Sequence, residues 1–285
     1  MTIDMRLRPP LPGWKNTRMF SKSSFDYLAI AGFPRPKSAQ TGSISDLLSE
    51  MDEAGVEIGV VMGRQSPAPF GQLPNSELEG LVTQHPERFF AWAGIDVDGP
   101  LESSMEELHR VLAGGLYRGI SIEPTLSPQY EHGGDTKLYP IFELCEEKGL
   151  PINISMSSPL QVGSQQLLEK IRPQYLAKAS KDFPGLAFHI GHAAWPYTME
   201  MVALAIACPN IWVSPDMYLI PEFPGSNDFA KAALTFLPER TLFGSAYPFK
   251  PLKETVQAYK SWNFPAHIEE NVLHGNARRL MNIHK

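Results

Sequence analysis

Two arginines lie two positions apart near the start of the chain, Arg6 and Arg8 in the run IDMRLRP. On an extended strand such residues share a face, so both guanidinium groups are expected on one side of a strand, in need of a counter-charge. A planar carboxylate matches the guanidinium fork. It comes either from a substrate or from Asp4, Glu123 or Asp216. His192 in FHIGHAAWP is of the residue type suited to general acid/base work near neutral pH, and Asp216 in SPDMY is placed to orient it or to act as a base. His189, three residues earlier, is expected deeper in the same strand as a packed or supporting residue. Glu123 in SIEP ends an apolar run before a proline. A glutamate buried there needs a partner, so it is either an arginine's ion-pair partner or a functional acid. Arg64, Trp195, Tyr218 and Tyr247 follow apolar runs closely enough to line a pocket and bind substrate, with packing as the alternative for the aromatics; Lys250 is expected to be solvated.

Other chemistries lack their residues. There is no GxSxG elbow, no Walker lysine loop and no dinucleotide glycine pattern after the first apolar run. No cofactor is expected. Cys145 and Cys208 match no CxxC spacing and read as buried free thiols.

A scaffold must bring these scattered residues together. Apolar runs at residues 3–7, 58–62, 89–95, 119–123, 152–156, 187–190, 211–214 and 241–244 read as strands. Helical periodicity fills 45–54, 75–85, 101–113, 138–148, 165–181, 197–207, 228–236 and 253–261. This alternation is the pattern of parallel strands joined by crossover helices. Eight units predict a single (β/α)8 TIM barrel domain over residues 1–285, whose strand C-termini would carry the site. Gly55 and Gly149 stand where left-handed helix caps are needed, and Pro151 opens the next strand. Residues 9–41 are too long for an ordinary connection and are expected to fold across the barrel mouth. Residues 266–281 are expected to add a helix that closes the outer ring.

Composition bounds the partners. A net charge of -6 and a pI near 5.8 offer no broad basic surface, so no nucleic-acid partner is expected. No segment reaches the roughly 18 apolar residues of a membrane span. The first ten residues include Asp4, Arg6 and Arg8 and lack the uninterrupted apolar region of a secretory signal, so a cytoplasmic location is expected by default. Exposed barrel helices and the long mouth segment favour a homo-oligomer, a homodimer in the simplest case.

Three runs, FHIGHAAWP, LFGSAYPF and VLHGNARRLM, in that order and spacing, resemble the amidohydrolase-related group that includes lactone hydrolases and aromatic or muconate-type decarboxylases. IDMRLRP, EMDEAGVEIGVV and LYPIFELCEEKGLPINI extend the resemblance over nearly the whole barrel. The resemblance implies a divalent metal held by a His-x-His pair on strand one, a histidine after strand five and an aspartate on strand eight. Here Arg6 and Arg8 stand at the paired positions, Ser155 at the strand-five position and Ala246 at the aspartate. A guanidinium has no lone pair to offer a metal, so metal-free chemistry is expected. His192 is retained at the strand-six position.

The expectation is therefore a metal-independent hydrolase of a small carboxylate-bearing substrate, a lactone or related ester. Arg6 and Arg8 would anchor the anion and His192 would serve as acid/base. One alternative is a lyase, such as a decarboxylase or eliminase, or an isomerase of a small organic acid. The other is a catalytically silent barrel that binds a carboxylate.

Overall fold

Seven parallel strands follow one another in chain order, each hydrogen-bonded to the next. They are β1 (Ile3–Asp4), β2 (Ile58–Met62), β3 (Phe89–Gly94), β4 (Ile120–Ile122), β5 (Ile152–Ser155), β6 (Phe188–Gly191) and β7 (Ile211–Ser214). The computed structural model describes residues 1–15, 17–30, 33–67, 70–157 and 168–283. Every residue of β2, β4 and β5 is buried. Burial of both faces is what near-continuous apolar runs require in a parallel sheet covered by helices. The architecture is that of a (β/α)8 barrel.

The eighth strand is the main departure from expectation. Residues 241–244 form no ladder, only a parallel bridge between Val213 and Thr241. Their backbone donors are drawn elsewhere: Phe243 N–H donates to Val272 O at 2.9 Å and Ser245 N–H to Asp4 Oδ1 at 2.9 Å. The ring nevertheless closes, because Leu242 N–H donates to Val213 O at 2.9 Å and Phe243 O accepts from Met5 N–H at 3.0 Å.

Helices α1 (Pro12–Lys15), α2 (Lys22–Ile30) and α3 (Lys37–Thr41) occupy the segment after β1. It does lie over the mouth: Trp14 lines the cavity there, and Phe33 stacks on Phe223 at 5.8 Å. The connecting helices are α4 (Ile44–Ala54), α5 (Asn75–Gln84), α6 (Leu101–Ala113), α7 (Tyr139–Glu147), α8 (Leu176–Asp182), α9 (Thr198–Ala207), α10 (Ser226–Thr235) and α11 (Leu252–Lys260). Ser43 caps α4 by accepting from Asp46 N–H at 3.1 Å. Gly55 and Gly149 take the left-handed φ of +68° and +62° expected of them. The helix expected over 165–181 begins only at Leu176, because Pro173 lacks an amide donor and the chain there makes short 3-10 turns instead. Residues 165–167 of that expectation lie outside the described residues.

The C-terminal helix is interrupted. α12 (Ala266–Glu270) and α13 (Asn276–Leu280) are joined by a π-type turn, Asn271–Gly275, which includes the Val272 carbonyl that Phe243 uses. Asn276 Nδ2 donates to Thr241 O at 2.6 Å and Pro238 O at 3.1 Å, holding the helix on the eighth strand. Among the described residues no helix is long and apolar enough to cross a membrane.

Candidate active site

Arg6 and Arg8 do not share the face of a regular strand. The ladder breaks after Asp4, whose Oδ1 accepts from Arg6 N–H at 2.9 Å, and it resumes where Leu7 N–H donates to Val60 O at 3.1 Å. An aspartate that bonds its own backbone two residues on turns the chain instead of extending it. Both arginines still line one cavity, but their surroundings differ.

Arg6 is held inside a polar network. Its Nη2 lies 3.2 Å from Ser155 Oγ and 3.0 Å from His192 Nε2, its Nη1 3.4 Å from Asn153 Oδ1, and its Nε 3.4 Å from Asp216 Oδ2. Asp216 Oδ2 also accepts from the His192 backbone N–H at 3.1 Å and stands 2.8 Å from His192 Nδ1; Ser214 Oγ donates to its other oxygen. With Nδ1 facing the carboxylate, His192 Nε2 is left to accept from Arg6. Burial, then the Arg6 cation, holds the His192 pKa down to about 4, so the ring is neutral at pH 7. Against burial, which acts upward, His192, Arg6 and Ser214 bring Asp216 down to about 2.

The sequence makes room for this network. A Cβ on Gly191 would stand 2.8 Å from Arg6 Nη1 and 2.9 Å from Asn153 Oδ1, and one on Gly244 would collide with the Asp216 carboxylate. His192, Ala193, Ala194, Asp216 and Ala246 all adopt φ between +45° and +65°. Left-handed backbone on five non-glycine residues at three strand ends is strain that the surrounding structure must hold.

Arg8 and Arg64 face the cavity from its other side. Arg8 Nη1 donates to Ala246 O at 2.9 Å and Tyr247 O at 3.2 Å. Among the described residues no carboxylate pairs with Arg8. Burial, then the neighbouring Arg6 and Arg64 cations, pushes its pKa down. Arg64 is paired, with Nη2 at 2.6 Å from Glu123 Oε1, and Ser66 Oγ donates to Glu123 Oε2. Glu123 is thus an arginine's partner, the first of the two options its position allowed. Trp14 lies near both cations, its ring centroid 5.9 Å from the Arg8 and 5.8 Å from the Arg64 guanidinium carbon. About 230 Å³ of empty space, counting the part open to solvent, lies among these residues.

Other expected residues lie elsewhere. Tyr247 is fully buried, and its hydroxyl meets Ser38 and donates to Glu50 at 3.0 Å, so it ties α3 and α4 to the strand-eight loop and does not line the cavity between Arg8 and Arg64. Trp195 and Tyr218 stack at 4.7 Å, and Tyr218 meets the His192 ring edge-on at 6.0 Å, forming a wall beside the histidine. Tyr218 also bonds Ser157. Asp4 pairs with neither arginine side chain: it accepts from Ser245 N–H and Oγ and the Arg6 backbone, and burial raises its pKa to about 6. His189 is packed, edge-on to Trp92 at 5.5 Å, and burial lowers it to about 3. Lys250 is buried over the Phe33 ring at 5.1 Å, not solvated. Cys145 is buried, its thiol pushed up to about 12; Cys208 is partly exposed, so only one of the two expected buried thiols is buried.

Sequence reasoning missed Trp14, Asn153 and Ser66. Asn153 was detectable as a polar residue within an otherwise apolar strand, INIS; Trp14 lies in an irregular segment that gives no periodicity to read.

The divalent metal implied by the sequence resemblance does not fit these residues. Arg6 Nη2 meets the Nε2 lone pair of His192, which a metal would otherwise take, and Ser155 bonds the same guanidinium. Among the described residues no group of three or more His, Cys, Asp or Glu is placed to share an ion.

The amidohydrolase family model matches residues 41–283. An uncharacterised TIM-barrel protein from Bordetella bronchiseptica superposes with a TM-score of 0.90 at 32% identity, over 99% of this chain and 98% of that one. The 5-carboxyvanillate decarboxylase of Sphingomonas paucimobilis shares the fold at a TM-score of 0.66 and 17% identity, covering 87% of each chain. The 2-amino-3-carboxymuconate-6-semialdehyde decarboxylase of Dictyostelium discoideum is 26% identical over 255 residues, 77% of this chain and 68% of that protein. Barrel topology, strand-end site and family match agree, and the chain belongs to the amidohydrolase family of enzymes.

Proposed function

We propose that the protein cleaves a carbon–carbon bond in a small organic acid, decarboxylation being the simplest case, with guanidinium groups in the role a metal would fill. The observation that carries this reading is the cavity between Arg8, Arg64 and Trp14, where Glu123 is taken by Arg64 and, among the described residues, Arg8 pairs with carbonyl oxygens and with no carboxylate. An anionic ligand supplies that charge. In decarboxylation the bond to the carboxyl carbon breaks and CO2 leaves. The electron pair stays on the substrate, spreading to a neighbouring oxygen, and carbon then takes up one proton. Fixed cations facing that oxygen stabilise it as an oxyanion site does. Arg8 anchors the acid, Glu123 holds Arg64, and His192 with Asp216 holds Arg6. Trp195 and Tyr218 wall the histidine side. The decarboxylase activity named for the Dictyostelium relative supports the reaction class.

Lactone hydrolysis is the second reading, favoured by the 2.8 Å approach of His192 Nδ1 to Asp216. As a base, His192 needs its Nε2 lone pair, which accepts from Arg6 at 3.0 Å, so this route requires Arg6 to move first.

Proton stoichiometry separates the readings. Small aromatic and unsaturated carboxylic acids and lactones are offered to the enzyme in weak buffer near pH 6 while CO2 is swept out. Proton uptake matched by CO2 release, abolished in Arg8→Met, is the expected outcome. Proton release without CO2 replaces it with the hydrolytic reading. Carboxylate binding with neither signal makes the protein a silent binder.

A further inference from the structure

The mouth segment contributes a polar atom that the proposed chemistry has not used. Trp14 is 1% exposed, lines the cavity, and among the described residues its Nε1–H has no acceptor. Arg64, whose guanidinium carbon is 5.8 Å from the same indole ring, likewise has its Nε buried without one. Both orphan atoms are donors. A buried donor left unpaired is unfavourable, so two of them on residues that line one cavity call for a ligand rich in acceptors. Ion pairing fixes the sign of the ligand: Arg6 pairs with Asp216 and Arg64 with Glu123, which leaves Arg8 as the cation that no carboxylate pairs with among the described residues.

Resting on the carboxylate reading above, we propose that Trp14 is a ligand-binding residue. Its Nε1–H, with Arg8 and Arg64, forms a three-point donor set that selects a monoanion presenting planar charged oxygens. The segment covering the mouth is thereby part of recognition and not only a cover.

Benzoate and its neutral counterpart benzamide are suitable probes, titrated calorimetrically into the full chain. Wild type is expected to bind benzoate at least ten-fold more tightly than benzamide. Trp14→Phe keeps an aromatic ring and removes the donor. Its benzoate affinity is expected to fall about ten-fold or more, the size of a hydrogen bond to a charged group, with benzamide affinity unchanged. In wild type, the Trp14 indole 1H–15N resonance is expected to move downfield as benzoate saturates the site, a readout that does not depend on the variant folding. If Trp14→Phe binds benzoate like wild type, or that resonance stays fixed at saturation, while Arg8→Met loses binding, the role of Trp14 is overturned and the carboxylate reading stands. If benzoate binds no better than benzamide and Arg8→Met changes nothing, both fall together.

Discussion

The two arginines of IDMRLRP share a residue type, a strand and a cavity, yet they sit in opposite electrostatic situations. Arg6 is enclosed by Asn153, Ser155, His192 and Asp216. Arg8, two positions on, has two backbone carbonyls and aromatic rings. The first region pairs its cation with a carboxylate, although Arg6 Nε and His192 Nδ1 complete no hydrogen bond; in the second, among the described residues, no carboxylate pairs with Arg8. Sequence spacing alone leaves each open to a substrate or to a protein carboxylate. The structure separates a cation that organises the site from one that is available to a ligand.

The strongest way to break this contrast is to remove each arginine and compare stabilities. Arg6→Ala leaves Asp216 buried without its guanidinium, and losing one member of such a pair is unfavourable by about 3–5 kcal/mol. Arg8→Met removes a buried cation that has no carboxylate partner, and its urea midpoint is expected at or above that of wild type. Equal losses for the two would erase the distinction.

Gly191→Ala probes the closed region without touching a charge. Its methyl group would press on Arg6 Nη1 and Asn153 Oδ1 at under 3 Å, and overpacking of this kind destabilises by about 1–3 kcal/mol. Gly80→Ala, with open space around its Cβ, is the control and should not destabilise. Matching urea midpoints for the two variants would show that Arg6 is less tightly held than the distances imply.

The pH dependence of stability is smaller and has a definite sign. His192 and His189 have folded pKa values near 4 and 3, against 6.5 when unfolded. Between about pH 4 and 6 the unfolded chain therefore binds two more protons at these sites, and stability falls as pH is lowered. Asp4, raised from 3.8 to about 6, works in the opposite direction over the same window and offsets one of them. The net loss is on the order of 1 kcal/mol per pH unit, and His189→Leu should reduce it. Urea titrations from pH 4 to 6 measure both slopes. The smallest effect expected is none: prolonged chelation should leave melting temperature and activity unchanged, and stoichiometric zinc that disappears in His192→Ala would restore a metal to this site.

The barrel was readable because apolar runs and helical periods alternate along the chain, and Gly55 and Gly149 mark helix ends with a residue type few others can replace. The site was readable as a set of strand-end residues, and Arg6, Arg8, Arg64, Glu123, His192 and Asp216 do converge. Pairing was not readable. Nothing in SIEP says that Glu123 meets Arg64 rather than Arg6, and nothing in IDMRLRP says that Asp4 will turn the strand. Such choices depend on which side chains from distant strands arrive at one place. Tyr247 shows the same limit, since its expected place in the pocket is overridden by Glu50 and Ser38, which sit on helices with no motif to announce them.

Phe243 joins the beginning of the chain to its end, its carbonyl accepting from Met5 and its amide donating to Val272. Segments more than 260 positions apart in sequence thus meet at one seam beside the arginines. The π-type turn fixes the last strand, which brings Ser245 to Asp4 and the Ala246 carbonyl to Arg8. Damage to that turn, far from the cavity in sequence, would therefore reach the cations through the backbone of the eighth strand.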